Sequence, residues 1–355
     1  MYEALSLCAL LFVCRKLKDS GVPKLATNIF MALFVLWLAL GFAAGYDFSH
    51  AEYDIFPLHF TEMIRAINIT LVIIVLYAFM SFFAVDLITG FSGFTKRKAV
   101  CALLLTLAVT LYSMAEAYCV RRRDITITTS KLPEGTDRIR IAFLVDVHLG
   151  GLYTVSHFER AMKIVDEASP DIIMLGGDII DGDLSHMKTE LAMLKSAAEK
   201  ARYGAFAVNG NHEYYLLLDE DVEGAVRDCG YNLLVFERAE TAGITIIGLD
   251  DMKYGYIRPF LKPEDKDRFV IVLKHRPGVP VDAEGNFDLQ LSGHTHGGQF
   301  WPLGYFKDME LDSSQGLSRK AGGYVYVSNG VGFNCAMMRL FVPPEVVVID
   351  IVRER

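Results

Sequence analysis

The sequence lacks an excess of basic residues: 35 lysines and arginines stand against 43 aspartates and glutamates, a net charge of -8. Nucleic-acid-binding proteins normally carry a basic stripe, so we expect no nucleic-acid partner. Cysteine is also sparse, with six in 355 residues. Four of them lie in or beside apolar segments: Cys8, Cys14, Cys101 and Cys119. Only Cys229 and Cys335 remain, so no disulfide framework is predicted.

Apolar residues, at 52%, are concentrated before about residue 120. The runs 26–46, 66–87 and 99–119 have about the 20 residues needed to cross a bilayer and are apolar on every face. Residues 4–14 form a shorter apolar stretch that could be a first span, a re-entrant piece or a signal-like segment; a span is favoured. Residues 1–120 are therefore predicted to be a transmembrane helical region with three to four spans.

Basic residues flanking these runs predict the orientation. Seven of them lie in two short loops: Arg15, Lys16, Lys18, Lys24, Lys96, Arg97 and Lys98. Cytoplasmic loops are enriched in lysine and arginine, so both loops are predicted to be cytoplasmic. We therefore expect a multi-pass protein of the cell (inner) membrane, with everything after residue 120 extracytoplasmic. Residues 121–123, all arginine, argue for the opposite topology, but seven basic residues outweigh three.

The later part of the chain alternates between strand and helix patterns. A strand over 138–145 is followed by a helix from Ser156 to the Ser169-Pro170 stop, and then by further strands and helices. This alternation is typical of a mostly parallel sheet covered on both faces. Further strands are predicted at 171–175, 205–208, 232–236, 243–248, 269–274, 287–292, 323–328 and 345–352, and helices at 185–201 and 219–229.

Five polar stretches each follow a predicted strand. They are Asp146-Val-His148, Gly177-Asp178-Ile-Ile-Asp181, Gly210-Asn211-His212-Glu213, Lys274-His275-Arg276-Pro277 and Gly293-His294-Thr295-His296-Gly-Gly-Gln299. Open α/β sheets bind ligands at the carboxyl ends of their strands. If the backbone is extended, residues two apart share one side, which would pair the two histidines of the last stretch. Carboxylates and imidazoles without cysteine suit two divalent cations acting on a phosphoester.

The same five stretches, in this order, resemble the calcineurin-like metallophosphoesterases over residues 138–352. The segments Tyr214-Tyr215, Gly297–Gln299 and Ser328–Gly332 resemble a membrane-associated bacterial branch that includes exported phosphodiesterases. Val145 departs from the family, which usually has serine there, but it precedes the ligands and should not remove metal. The resemblance implies a four-layer α-β-β-α sandwich as the catalytic domain, 138–355, joined to the transmembrane region by a linker, 121–137.

The resemblance also implies roles for individual residues. Asp146, His148, Asp178 and His296 would hold a first metal ion, and Asp178 would bridge to a second ion completed by Asn211, His275 and His294. His212 resembles the family's non-ligand catalytic histidine. The two divalent ions would be manganese, iron or zinc, and a hydroxide bridging them would attack phosphorus. Asp181 and Glu213 would orient these residues. Taken singly, Asp146 could cap a helix, Asn211 could be a turn residue and His275 an exposed loop residue.

We therefore predict a membrane-anchored phosphoesterase that cleaves a phosphodiester or pyrophosphate, with a lipid-linked substrate as a hypothesis. Two alternatives stay open: a cytoplasm-facing pyrophosphatase for a nucleotide-linked lipid such as a UDP-diacylglucosamine, and a metal-binding sensor or docking domain without turnover. The aromatic loop from Phe300 to Phe306 could be core packing, but it also suits a lipid-bearing substrate. Asp250 and Asp251 are interpreted as solvated loop acids. Four basic residues could hold an anionic group, with Arg276 favoured: Lys253, Arg258, Arg276 and Arg339.

Overall fold

The structure is a computed structural model. It describes residues 2–46, 58–151, 155–216, 221–251, 255–301, 315–333 and 336–354. Some residues discussed in the sequence analysis lie outside these ranges: Lys253, residues 302–306 and Cys335. The cysteines within the described ranges are free thiols. The chain divides into two compact units, which are described separately: one contains Met1–Ala115, and the other contains Glu116–Asn334 and Arg339–Arg355.

Four helices form the first unit: α1 (Tyr2–Asp19), α2 (Lys24–Tyr46), α3 (Leu58–Ile88) and α4 (Lys96–Ala117). Within α3 and α4, Ala66–Ile88 and Lys96–Ala117 are long and apolar enough to cross a membrane, judged by length and composition. They coincide with two of the predicted runs. The described part of α2 contains a shorter apolar stretch, Lys24–Leu36, and residues 4–14 lie within α1. The expectation of three to four spans stays a prediction.

Helices α1 and α3 of this unit are joined by a partly buried ion pair. Lys16 Nζ contacts the Asp86 carboxylate, which is 2% exposed, and the ammonium also lies 5.4 Å from the ring centres of Phe12 and Phe94. The pair brings the carboxyl-terminal ends of α1 and α3 together. A Cβ at Gly21, in the α1–α2 connection, would lie 3.4 Å from Lys96, so the α1–α2 and α3–α4 connections are at the same end.

Two six-stranded sheets form the second unit. The first has the order β1-β12-β2-β3-β4-β5 and the second β10-β11-β9-β8-β7-β6. Strands β2 to β5 are parallel to one another, as are β7, β8, β9 and β11. The strand bounds are β1 Arg121–Thr129, β2 Arg138–Leu144, β3 Ile172–Leu175, β4 Ala205–Ala207, β5 Tyr231–Leu233, β6 Glu237–Thr241, β7 Ile244–Leu249, β8 Phe269–Lys274, β9 Leu289–Ser292, β10 Gly316–Lys320, β11 Gly323–Val327 and β12 Glu345–Arg353.

Alternating side chains build the core on both faces of each sheet. On β2, Phe143 points into the core between the sheets, whereas Leu144 packs beneath helices α5 (Val155–Ala168) and α6 (Lys188–Lys200). Two further helices, α7 (Asn211–Leu216) and α8 (Val222–Asp228), follow β4. The outer face of the second sheet is covered by short 3-10 helices, Arg258–Phe260 and Pro263–Lys266, and by loops. The predicted α/β sandwich of four layers is confirmed, with a thin fourth layer.

Residues 121–129 correct the expected linker. They form β1, an edge strand parallel to β12, in register from Arg121 opposite Glu345 to Thr129 opposite Arg353. Ile127 is 3% exposed and belongs to the core between the sheets. Edge strands show a weak pattern because one edge and often one face stay in water, and three successive arginines obscured the alternation here. The polar edge strands β6 and β10 were not predicted for the same reason.

Candidate dimetal centre

The predicted polar stretches meet where the carboxyl ends of the two sheets come together. The residues after β2, β3 and β4 in the first sheet face those after β8 and β9 in the second. His294 N–H donates to both carboxylate oxygens of Asp146 at 3.0 and 2.9 Å, which ties the two sheets together at this point. Residues up to 148 positions apart in sequence are therefore in direct contact.

Asp146, His148 and His296 form one half of the centre. A ligand atom of each lies within 4.8 Å of the others, and the three side chains are 0 to 2% exposed. His148 Nε2 is 3.1 Å from His296 Nε2, and their rings are stacked with centres 5.1 Å apart. Two imidazole nitrogens and a carboxylate facing one another in this way could hold a divalent cation.

Asp178, His275 and His294 form the other half under the same distance limit. His275 Nε2 is 3.2 Å from Asp178 Oδ2 and 3.2 Å from His294 Nδ1. His275 Nδ1 donates to Gly176 O at 3.0 Å, which fixes its ring. Asp178 also groups with His148 and His212, so its carboxylate lies between the two halves, as a bridging ligand would.

Asn211 supplies a test of whether a cation fits. Its Oδ1 is buried and has no hydrogen-bond partner among the described residues. Buried polar atoms are normally paired, so an orphaned amide oxygen beside this cluster needs an explanation. Carboxylate, imidazole and amide donors together make a suitable set for divalent cations that accept hard and borderline ligands. The residues present therefore fit such ions.

The backbone at the candidate ligands is not extended, which corrects the sequence expectation. Asp146, His148, Asp178, His294 and His296 all have φ between 49° and 69°, in the left-handed region. Non-glycine residues rarely adopt it, and each costs on the order of 1 kcal/mol or more. The side chains converge because each strand ends in a sharp turn, so His294 faces one half of the centre and His296 the other.

Neighbouring glycines make room for these turns. A Cβ at Gly177 (φ +89) would lie 2.5 Å from Gly210 N, and a Cβ at Gly330 (φ +76) would lie 2.7 Å from Asp146 Cβ. Gly332 N–H donates to Asp146 O at 2.7 Å. The segment Ser328–Gly332 thus supports the Asp146 turn.

Asp181 and Glu213 hold the centre in place. The Asp181 carboxylate accepts a hydrogen bond from His148 Nδ1 at 3.0 Å and also contacts His212 Nδ1, so one acid orients two imidazoles. Glu213 is 1% exposed and accepts four backbone N–H bonds at 2.6 to 3.2 Å. The donors are the N–H groups of Asp178, Ile179, Ile180 and Gly210.

Comparison with known proteins agrees with this geometry. Residues 139–298 match the family model for calcineurin-like phosphoesterase. An uncharacterized metallophosphoesterase of Aquifex aeolicus (strain VF5) is 37% identical over 252 residues, which cover 68% of this chain and 95% of that protein. The chain belongs to the calcineurin-like metallophosphoesterases. A metallophosphoesterase domain implies a phosphate-ester substrate.

Two further proteins are similar to this metallophosphoesterase. A "transmembrane protein with metallophosphoesterase domain" of Danio rerio is 30% identical, over 69% of this chain and 60% of that protein. The solved structure of a 5'-nucleotidase precursor from Thermus thermophilus is 15% identical with a TM-score of 0.34, covering 61% of this chain and 54% of that chain.

Charges in the metallophosphoesterase centre are strongly coupled. Burial alone would lower the pKa of His148, but the carboxylates of Asp181, Asp178 and Asp146 raise it to about 9. His275 behaves in the same way beside Asp178 and Asp146, with a pKa of about 10. Burial raises the pKa of Asp146, whereas the pKa of Asp178 lies well below its usual value because the surrounding imidazoles outweigh its burial. The carboxylates therefore favour the protonated forms of His148 and His275 when no cation is bound.

Arg339 does not lie on the rim, contrary to the sequence prediction. It is completely buried and donates to Asn329 O at 2.8 Å and to Val342 O at 3.2 Å, and it also contacts Gly332 O. Its Nη2 lies 3.4 Å from His296 Nδ1. Arg339 therefore supports the loops behind the centre of this metallophosphoesterase.

Asp251 was missed as a site residue. It was interpreted as a solvated acid, but its carboxylate accepts two hydrogen bonds from Arg276 at 2.7 and 3.0 Å. Asp250 likewise accepts from Tyr214 OH. The signal was available, since these acids directly follow β7 just as the recognised stretches follow their strands. Arg258 is exposed, and its backbone N–H donates to Asp282.

Proposed function

We propose that this metallophosphoesterase hydrolyses a phosphodiester or pyrophosphate bond with two divalent metal ions, of which manganese, iron and zinc are the candidates. The first ion would be held by Asp146, His148, Asp178 and His296, and the second by Asp178, Asn211, His275 and His294. The observation that carries the proposal is the convergence of six of these side chains, five of them on strained backbone. The seventh, Asn211, is proposed as a ligand because its buried Oδ1 has no hydrogen-bond partner among the described residues. Bound divalent ions would supply positive charge that neutralises the phosphoryl oxygens during attack.

His212 is the proposed proton donor to the leaving oxygen. Its backbone N–H donates to Asp178 Oδ1 at 2.9 Å, which fixes its position beside the cluster. With Nδ1 hydrogen-bonded to Asp181, the proton that moves would be on Nε2. The side chain is 21% exposed, whereas those of His148 and His275 are 1% and 0% exposed. This exposure suits a group that meets substrate.

The experiment that tests the proposal is hydrolysis of bis(4-nitrophenyl) phosphate by the purified full-length protein with added Mn²⁺. We expect metal-dependent turnover, and we expect His212→Ala to lower kcat by about 100- to 10,000-fold, the usual contribution of a general acid. Bound metal measured in both proteins should be equal, because His212 is not a proposed ligand. Absence of turnover in the wild type, with metal bound, would favour a sensor or docking domain.

Membrane anchoring with an extracytoplasmic catalytic unit is part of the same proposal. The α1–α2 and α3–α4 connections lie at one end of the helical unit, so the seven basic residues of the two predicted cytoplasmic loops are gathered there. This clustering supports a cytoplasmic location for that end. Because α4 begins at that end, its last residue would lie on the opposite side of the bilayer.

A lipid-linked substrate is the proposed specificity. Trp301 and Phe341 are 42% and 62% exposed, and their rings meet edge to face with centres 6.3 Å apart. Trp301 N–H donates to Leu340 O at 3.1 Å, and Leu340 N–H donates to Gln299 O at 3.0 Å, which ties the pair to the loop that carries His296. An exposed aromatic pair beside the centre supports contact with an acyl chain.

A further inference from the structure

In the second sheet, each of three adjacent parallel strands is followed by a polar residue, and these three residues lie in a row in which each contacts the next. Asp251 follows β7, Arg276 follows β8 and His294 follows β9. Arg276 Nε and Nη2 donate to the two carboxylate oxygens of Asp251 at 2.7 and 3.0 Å, and Arg276 Nη1 lies 3.1 Å from His294 Nε2. The row fixes both the position and the plane of the guanidinium.

The guanidinium is held firmly but remains accessible. The Asp251 side chain is 9% exposed, and that of Arg276 is 29% exposed. Asp251 is the main reason that the pKa of Arg276 is raised, and the Tyr215 phenol and the Asp178 carboxylate add smaller contributions. Tyr215 is 66% exposed, and its ring lies 5.4 Å from that of His212. Arg276 therefore lies on the open side of the centre, near the proposed proton donor.

The orientation of His294 decides what the guanidinium can reach. His294 Nδ1 is 3.2 Å from His275 Nε2, inside the ligand cluster, whereas its Nε2 faces Arg276. The imidazole therefore stands between the cluster and the guanidinium. A phosphoryl group bound at the cluster would lie on one side of this ring, and Arg276 lies on the other, so Arg276 is suited to a neighbouring group of the substrate.

We infer that Arg276 binds a second anionic group of the substrate, next to the phosphoryl that is hydrolysed, and that Asp251 is its positioning residue. The inference rests on the proposed function for the first phosphoryl. It narrows the substrate class to molecules with two adjacent anionic groups, for which a pyrophosphate is the simplest case. Arginine suits this role better than lysine because its planar guanidinium keeps Nε and Nη2 on Asp251, with Nη1 beside His294, and still has further N–H groups for an anion.

The test is calorimetric binding to the full-length protein at constant free Mn²⁺, with two probes that share adenosine: α,β-methylene-ADP, with two phosphoryl groups, and AMP, with one. We expect the wild type to bind the first about tenfold more tightly than the second, since a charged hydrogen bond contributes on that order. Arg276→Met should abolish this difference by weakening the binding of α,β-methylene-ADP, while the affinity for AMP stays within about twofold of the wild-type value. Arg276→Lys should restore part of the preference, and Asp251→Asn should weaken it.

The matched control is Arg319→Met, which removes an exposed arginine on β10 whose guanidinium stacks on the Tyr324 ring. Arg319 lies opposite Tyr324, near the start of β11, whereas the site lies beyond the carboxyl ends of the neighbouring parallel strands. Its preference should equal that of the wild type. Equal loss of both probes in Arg276→Met, or an unchanged preference, would overturn the inference. If the wild type hydrolyses no phosphoester but binds α,β-methylene-ADP more tightly than AMP, and Arg276→Met removes that preference, the proposed function is wrong and the second anion site is still supported.

Discussion

At the scale of single residues, conformational strain is concentrated where the candidate ligands lie. Asp146, His148, Asp178, His294 and His296 adopt a backbone that bulky residues avoid, and the surrounding hydrogen bonds hold them in it. Without metal, the same residues also bring carboxylates and imidazoles together at distances of about 3 Å. The backbone strain is costly in the metal-free protein, and binding of a cation would compensate for it.

Metal affinity should rise with pH. His148 and His275 have pKa values of about 9 and 10, so both imidazoles are protonated in the metal-free protein at neutral pH and must lose those protons to become ligands. We expect the apparent Mn²⁺ affinity to increase by up to about tenfold per pH unit for each proton released between about pH 6 and 8. Calorimetry in buffers of different ionisation enthalpy measures both affinity and proton release.

The metal-free protein should show the opposite trend. Because the folded pKa of each histidine lies above the unfolded value of about 6.5, their contribution to stability is complete below that value and is lost as pH rises through 9 to 10. The matched measurement is thermal unfolding with and without Mn²⁺ across the same range. A metal affinity independent of pH, with no proton release, would contradict the assignment of these imidazoles as ligands.

At the scale of elements, the ends of the parallel strands carry the chemistry and the edge strands complete the sheets. Strands β2, β3, β4, β8 and β9 each deliver a candidate ligand or the catalytic candidate. Their residues are mostly apolar, so these strands were visible in the sequence, although β2 contains Arg140 and β9 contains Gln290. The edge strand β1 shares the first sheet with β12 and closes one side of the core.

Ile127→Ala should destabilise the catalytic unit. Ile127 lies on β1 and is 3% exposed in the core between the sheets, so its truncation should cost about 2 kcal/mol or more and lower the Tm by roughly 4 to 8 °C. Thr128→Ala, at the neighbouring exposed position, is the control and should change the Tm little. Thermal unfolding of the full-length variants measures both. An unchanged Tm for Ile127→Ala would indicate that residues 121–129 are a linker and do not contribute to the core.

Removal of the exposed aromatic pair should affect lipid-bearing substrates selectively. Trp301→Ala and Phe341→Ala each delete an apolar ring, whose burial against an acyl chain would be worth about 1.5 kcal/mol or more, or tenfold in kcat/KM. Hydrolysis of a lipid phosphodiester should fall by that factor, while bis(4-nitrophenyl) phosphate should be hydrolysed nearly as before. Leu317→Ala, an exposed apolar position on β10, is the control. Equal losses on both substrates would count against a lipid contact.

At the scale of the whole molecule, the chain joins a helical unit to a metallophosphoesterase domain. Among the residues that the structure describes, two helices have the length and composition of membrane spans, and the basic loops of the helical unit lie at one end. A catalytic unit tethered in this way would meet substrates at or near a bilayer. Under the proposed anchoring, the side of the membrane on which this unit lies would decide which phosphoesters are available to it.

A reporter after Arg355 tests the proposed topology. Alkaline phosphatase folds only outside the cytoplasm because it needs disulfides, whereas green fluorescent protein fused at the same position reports the cytoplasm. We expect an active phosphatase fusion and a dark fluorescent one. The reverse result would favour the cytoplasm-facing pyrophosphatase that cleaves a nucleotide-linked lipid.

Much of this protein could be predicted from its sequence because its signals are local. Apolar runs identify the helices, and a polar residue immediately after a buried strand marks the edge where ligands meet. Strand β1 was missed because three successive arginines obscure its alternation and its partner β12 lies far away in the chain. Asp251 was missed although it follows β7 as the other polar stretches follow their strands. Arg339 was misplaced because a charged residue is normally expected at the surface, and only the surrounding carbonyl groups make its burial tolerable.

The sequence by itself determined the family, the alternation of strands and helices, and the seven side chains available as ligands, since residue type and order carry these properties. Tertiary structure alone decided how those side chains converge: through left-handed turns rather than extended strands, with Asp178 between two groups of ligands and Arg276 held by Asp251 on the far side of His294. The reason is physical. Distances between residues more than a hundred positions apart are set by the packing of the two sheets, which no local pattern contains.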